Sequence, residues 1–471
     1  MGATETDPPE PPSSPAGSRP GLGVAGAGRW RRDPVARLVA AATFVGLVAR
    51  LAWLLWVGER VPQTALIDPA RYLGFARNLA DGRGYREMLT GQPTAYYPPG
   101  YPFFLGGLQV LHDRLPLGGS FVFFVGAVQA AVGALLVPLG AFVARRVGSR
   151  PAAVVAAFVL ALYPNLVFHT AVVLGETLYN TLFMAFLAVA VSRRWSGRRL
   201  TPAFAAATAA PLALAIMVRP ISAVVVPALV LCWWLGARDL RVVLRATGAL
   251  AVVLAAVMVP WAVRNQIVMG AFVPMSTNTG DNLCIGHHDG ATGGFAPCLG
   301  EEGAEPGPET EVRNDDDKTA EALRWMRGHW REEPRLTWRR FRVMFLDDGD
   351  HDAIEAIQSY PNPLLGTERW MAPATERRLV GAADASYLVV GVIGMVGLVL
   401  LIRRREPFGV LVVLSALGTA AVPLAFFGDS RFKVPVVPLL VIAGAVAIGV
   451  AVEAIGRSRV RVAGSETGPA D

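Results

Sequence analysis

Apolar runs of roughly 20 residues, the length that crosses a hydrocarbon core of about 30 Å, recur from residue 38 to residue 453. They predict ten membrane spans: Leu38–Val57, Ser120–Val143, Pro151–Tyr163, a continuation beyond Pro164–Asn165 to Val191, Thr201–Val218, Ile221–Leu235, Ala246–Val263, Ala385–Ile402, Phe408–Phe427 and Val434–Glu453. The third is expected to break at Pro164. Tyr101–Leu111 is apolar but too short to cross, which suits a re-entrant or interfacial segment. Between Ala70 and Asp81 the pattern changes. Tyr72, Phe75, Ala76, Leu79 and Ala80 recur at helical spacing with Arg71, Arg77 and Asn78 opposite, which predicts an amphipathic helix on the bilayer surface.

Arginine placement orients these spans. Clusters at Arg29–Arg37, Arg145–Arg150, Arg193–Arg199, Arg238–Arg245, Arg403–Arg405 and Arg457–Arg461 all fall on one side of a ten-span count. By the positive-inside rule that side is cytoplasmic, so the 58–101 loop, the long 264–384 segment and the turn Gly428–Lys433 lie outside. The predicted organisation is a tail at 1–28, an N-terminal transmembrane module at 29–263, the extracytoplasmic segment 264–384, C-terminal transmembrane helices at 385–455 and a cytoplasmic tail at 456–471. Within the outer segment, Ala320–Trp330 and the stripe Trp338, Phe341, Met344 and Phe345, with arginines interleaved, predict further interfacial helices.

Composition agrees. Of 471 residues, 53% are hydrophobic and only 17% charged, with a mean hydropathy of +0.41. The net charge of +7 sits at span ends rather than on one face, so it serves topology and does not predict a nucleic-acid partner. The Pro, Gly and Ser-rich start predicts a disordered tail, and the Gly21, Gly23, Gly26 spacing there has no strand or helix around it to make a nucleotide site. The first span is expected to be an uncleaved anchor. Cys284 and Cys298 lie in the outer segment, where a disulfide can persist; Cys232 lies in a span.

Polar groups at membrane depth are the candidates for chemistry. Asp68 stands just outside span one. Glu176 is expected to share one helix face with His169 and Asn180, either for function or for hydrogen bonding between helices. Arg219 and Arg264 end spans, as snorkelling anchors or as ligands of an anion. Arg431 and Lys433 break the positive-inside trend beside Asp429, which suits either a phosphate at headgroup depth or an Asp429–Arg431 surface pair. The run Asp347, Asp348, Asp350, His351 and Asp352 could supply oxygens to a divalent cation, but its spacing is not that of an EF-hand loop. No cofactor is expected.

Three stretches carry a resemblance: Asp68 to Tyr85, Pro93 to Pro102, and Val263 to Gly286, followed late in the chain by Gly428-Asp429-Ser430-Arg431-Phe432. Together they resemble GT-C fold glycosyltransferases of the glycosyltransferase 39-like group, the bacterial relatives of dolichyl-phosphate-mannose protein mannosyltransferases. The resemblance implies an all-α polytopic bundle of about ten transmembrane helices, with outer interfacial helices and a large outer loop. It also implies transfer of a sugar from a polyprenyl-phosphate carrier to a glycan, protein or lipid acceptor, at the extracytoplasmic face of the plasma membrane. The family's catalytic carboxylate falls on Asp68 and a second acidic position on Glu176. Arg431, Lys433, Arg264 and Arg219 are then expected to bind the donor phosphate, and Tyr72, Glu176, His169 and Tyr97 the substrate. Many members carry an acid directly after the first; here it is Pro69, which weakens a metal-dependent scheme. The competing class is a transporter or flippase using Glu176 and Arg219 as a path, disfavoured by the lack of an internal repeat.

Overall fold

The computed structural model describes residues 33–58, 60, 67–115, 118–196, 199–298, 307–358 and 370–466. The expected tail, the Gly21–Gly26 stretch and Arg29, Arg31, Arg32 and Arg198 lie outside them. Span one is α1, Pro34–Val57, which starts with Asp33 as its cap (Val35 N donates to Oδ1, 3.0 Å) and a proline in its first turn. Then come α2 (Ile67–Ala80), α3 (Gly100–Arg114), α4 (Phe121–Val147), α5 (Arg150–Leu162), α6 (Pro164–Phe168), α7 (Glu176–Ala190), α8 (Pro202–Val218), α9 (Val225–Ala237) and α10 (Leu240–Met269). The outer segment holds α11 (Thr279–Gly286), α12 (Pro308–Gly328), α13 (Glu333–Arg342) and α14 (Asp352–Gln358). Helices α15 (Pro373–Arg404), α16 (Pro407–Leu424) and α17 (Val437–Glu466) complete the bundle.

Seven of the described helices are long and apolar enough to cross a membrane, and the pair Arg150–Leu162 and Pro164–Ala171, bent by 53°, makes up to eight. Glu176–Ala190 and Pro202–Val218 are apolar but shorter. These ten elements fall on the ten predicted spans, and the protein is a multi-pass membrane protein. The amphipathic helix expected from Ala70 is α2, and the short apolar segment is α3, stacked on it.

Helix α5 packs against α1, α4 and α17, while α7 sits between α4 and α8. Small residues permit close approach: α15 meets α17 so tightly that a Cβ on Gly397 would lie 1.9 Å from the Ala443 carbonyl oxygen. Sequence reading passed over Arg50, fully buried in α1. Its Nη1 donates to the carbonyls of Gly46 and Ala161, both at 3.0 Å, and Nη2 to Leu160 at 3.2 Å. The Leu160 carbonyl would normally take the N–H of residue 164, but proline has none. Arg50 therefore caps the acceptors that Pro164 leaves open where the helix bends.

Candidate active site

One end of the bundle gathers the N-termini of α2 and α7, the C-terminus of α8 and the turn after α16. Asp68 lies in the first turn of α2 and Glu176 opens α7, so each carboxylate faces the positive end of a helix dipole. Arg219 is the C-cap of α8. Behind it, Gly100 lets α3 press on this strand of chain, since a Cβ there would sit 2.5 Å from the Met217 carbonyl carbon.

Arg431 is the centre of the group. Asp429 caps its 3-10 turn, accepting the Arg431 backbone N–H at 2.8 Å, which frees the guanidinium to turn inward. Nη1 donates to Asp68 Oδ2 at 2.7 Å, and Nε to Glu176 Oε1. Arg219 Nη2 donates to that same Glu176 oxygen. The alternative of a surface pair between the Asp429 and Arg431 side chains does not form; the guanidinium makes two inward ion pairs instead. Tyr97 Oη donates to the other Asp68 oxygen at 2.7 Å. Burial pushes the Asp68 carboxyl up, but the Arg431 charge and the hydrogen bonds from Tyr97 and Arg431 outweigh it and hold the group below the ordinary carboxylate value. The side chains of Asp68 and Arg431 are 30% and 24% exposed while Glu176 is wholly buried, so the cluster opens on the Asp68 side.

Tyr72 meets the rings of Tyr97 and Tyr101 at 5.1 and 5.0 Å, and Arg71 lies over Tyr96 and Tyr97. The outer segment fixes this loop: Glu311 accepts from Ala95 N at 2.8 Å and Thr277 Oγ1 at 2.5 Å, while Asp281 accepts from Tyr96 Oη and Lys318 Nζ, both at 2.5 Å. Cys284 and Cys298 form a disulfide that closes the turn after α11.

Two expected phosphate ligands point elsewhere. Lys433 is buried, donates to the Met344 carbonyl at 3.1 Å and lies over Tyr387. Residues two apart on a 3-10 turn project to different sides, so Arg431 facing Asp68 turns Lys433 away. Arg264 does not end its helix, because α10 continues to Met269; it stacks on Trp261 and donates to the carbonyls of Thr94 and Tyr85 at 2.7 and 2.9 Å. It holds the first loop rather than joining Asp68. His169, Glu176 and Asn180 are not on one helix, since a 3-10 turn at His169–Ala171 and a break precede α7. They nevertheless line one small cavity with Arg50, into which Glu176 Oε2 carries no hydrogen-bond partner among the described residues.

The acidic outer stretch folds into the bundle. Asp350 accepts from Tyr163 Oη at 2.5 Å and Asn165 Nδ2 at 3.1 Å; Asp352 accepts from Asn165 Nδ2 at 2.6 Å and lies 3.0 Å from His169 Nε2. Burial and the neighbouring Asp352 push the Asp350 carboxyl up to about 6. Among the described residues, no group of three or more His, Cys, Asp or Glu side chains is arranged to hold a metal ion. His351, whose Nδ1 is 2.7 Å from Asp384, ties this stretch to α15. Its hydrogen bond to Glu355, opposed by burial and aided by Asp384, raises its pKa to about 9. A raised histidine adds stability that is complete below its unfolded value of about 6.5 and is lost as pH rises through the folded one. His351→Gln is therefore expected to lower the melting temperature at pH 6 by the equivalent of about 1 kcal/mol, with the two proteins converging above pH 9 to 10. A difference that persists at high pH would assign the loss to packing instead.

No family model matches the chain, and no curated protein matches it. Solved structures do. The oligosaccharyltransferase of Archaeoglobus fulgidus in its apo form superposes with a TM-score of 0.53 at 13% identity, over 92% of this chain and 52% of that one. The chain has the GT-C fold. AglB from the same organism, in complex with an inhibitory peptide and a dolichol-phosphate, gives 0.52 at 14% identity, over 94% and 53%. This GT-C chain spans about half the length of the archaeal proteins it matches. A weaker overlap, at TM-score 0.40 and 15% identity over 88% of this chain and 77% of the other, is with ArnT from Cupriavidus metallidurans bound to undecaprenyl phosphate.

Proposed function

We propose that the protein is an inverting glycosyltransferase that moves a hexosyl or pentosyl group from a polyprenyl-phosphate carrier to an acceptor hydroxyl at the extracytoplasmic face of the cell membrane. The observation that carries this reading is the contact of one guanidinium, Arg431, with both Asp68 and Glu176 at the half-open end of a GT-C bundle. A base and a phosphate ligand side by side at membrane depth are what the reaction needs. The fold adds support, since the same bundle in AglB was solved with a dolichol-phosphate.

In this reading Asp68 takes the proton of the acceptor hydroxyl as its oxygen attacks the anomeric carbon from the side opposite the carrier. The bond from that carbon to the phosphate oxygen breaks, and its electron pair leaves with the lipid phosphate. Arg431 and Arg219 offset the charge that develops there. Tyr97 fixes the Asp68 carboxylate. Tyr72, half-buried beside Tyr97, lines the place for the sugar, and Glu176 keeps both arginines aimed. The transporter reading has less support, because Glu176 and Arg219 close on each other at one end of the bundle. The deciding assay uses the purified protein in nanodiscs with a polyprenyl-phosphate donor carrying a labelled sugar. Label in a covalent acceptor product supports the reading; vectorial movement of intact lipid without product would replace it by transport.

A further inference from the structure

We propose that Asp68 and the carrier phosphate compete for Arg431, so that the protein without donor keeps its base masked and donor binding uncovers it. This rests on the glycosyltransferase reading above and adds an order of events to it: donor before acceptor.

The charge balance points this way. Asp68 and Glu176 are matched by Arg219 and Arg431, so the cluster is neutral as it stands. A phosphate that engages more than the free edge of a guanidinium draws it from a carboxylate already holding it. The two carboxylates differ in how readily they let go. Glu176 is wholly buried and accepts from both arginines, so stripping it would leave a bare charge out of water. Asp68 is 30% exposed and holds Arg431 through Nη1 alone, at 2.7 Å. Water can rehydrate its freed oxygen at little cost. Arg431 Nη2 has no acceptor among the described residues, which gives a phosphate its first point of attachment.

The exchange changes the chemistry of Asp68. With Arg431 on one oxygen and Tyr97 on the other, the carboxylate is held in its ionised form and is a poor proton acceptor. Once the phosphate draws Arg431 away, Tyr97 still fixes its position while the nearest cation has gone. Its basicity then rises at the moment when a donor is present to be used.

The prediction is counter-intuitive for a substrate-site residue: removing the Asp68 charge should tighten the hold on the lipid phosphate. Undecaprenyl phosphate without a sugar is the probe, titrated against the full chain in nanodiscs of zwitterionic lipid. Asp68→Asn and Asp68→Ala, both checked for an unchanged melting temperature, are each expected to bind about 3- to 10-fold more tightly than the wild type. Arg431→Ala is expected to bind more than about tenfold more weakly. Equal or weaker binding by both Asp68 variants, with Arg431→Ala still defective, would overturn the competition and leave the phosphate reading standing. Undiminished binding by Arg431→Ala would remove the phosphate site and the competition together. A melting temperature lowered in only one Asp68 variant leaves the other to decide.

Discussion

Asp68→Asn is expected to lower the single-turnover rate of sugar transfer by about 10²–10⁴-fold, the usual worth of a positioned base. Asparagine matches the carboxylate in shape, keeps an oxygen for Tyr97 and can still face Arg431, so the fold and the donor site should survive. What it cannot do is take the acceptor proton. The loss should therefore appear in the chemical step at saturating donor, with the donor held more tightly than in the wild type because the carboxylate no longer competes for Arg431. The check is rapid-mix transfer of labelled sugar under single-turnover conditions. A rate within tenfold of wild type would remove Asp68 from the reaction.

The second large effect is expected at Glu176. Its side chain has no exposure and one oxygen accepts from two guanidiniums, with Arg219 and Arg431 themselves 17% and 24% exposed. Glu176→Gln would leave two cations side by side, with Asp68 the only carboxylate among the described residues still touching either of them. Removing one partner of a buried pair costs about 3–5 kcal/mol, and the residual exposure of the arginines brings the expected loss to about 3 kcal/mol. Thermal unfolding in detergent measures it, and activity should fall as well because Arg431 loses its second support. Arg219→Gln leaves Glu176 still paired with Arg431 and should cost less. An unchanged melting temperature in Glu176→Gln would mean that the buried pair contributes nothing to the fold.

The membrane architecture was legible because span length is set by bilayer thickness and little else. That holds even for the broken third span, where Pro164 removes a donor and disfavours helix at the residue before it. The helix bearing Asp68 was legible too, from the 3.6-residue recurrence of Tyr72, Phe75, Ala76 and Leu79. Its neighbourhood was not. Periodicity says which face of one helix is apolar, but not which distant side chain meets it. Arg431 reaches Asp68 across 363 residues of sequence, and Asp350 reaches Asn165 across 185.

Lys433 and Arg264 show the complementary failure. Both are cations beside apolar stretches in the sequence, yet the twist of a 3-10 turn sends one to Met344, and a helix that outlasts its apolar stretch aims the other at loop carbonyls. Arg50 did leave a signal, a lone charge inside an otherwise apolar span. Only the bend at Pro164 explains what that charge is for.

The most direct measurement is the structure of this protein with an unreactive polyprenyl-phosphate sugar bound. The expected result has the phosphate on Arg431 and Arg219, with the anomeric carbon facing an acceptor position roughly 3 Å from the Asp68 carboxylate. A phosphate held instead by Arg264 or Lys433, or at the arginine-rich end of the bundle, would contradict it.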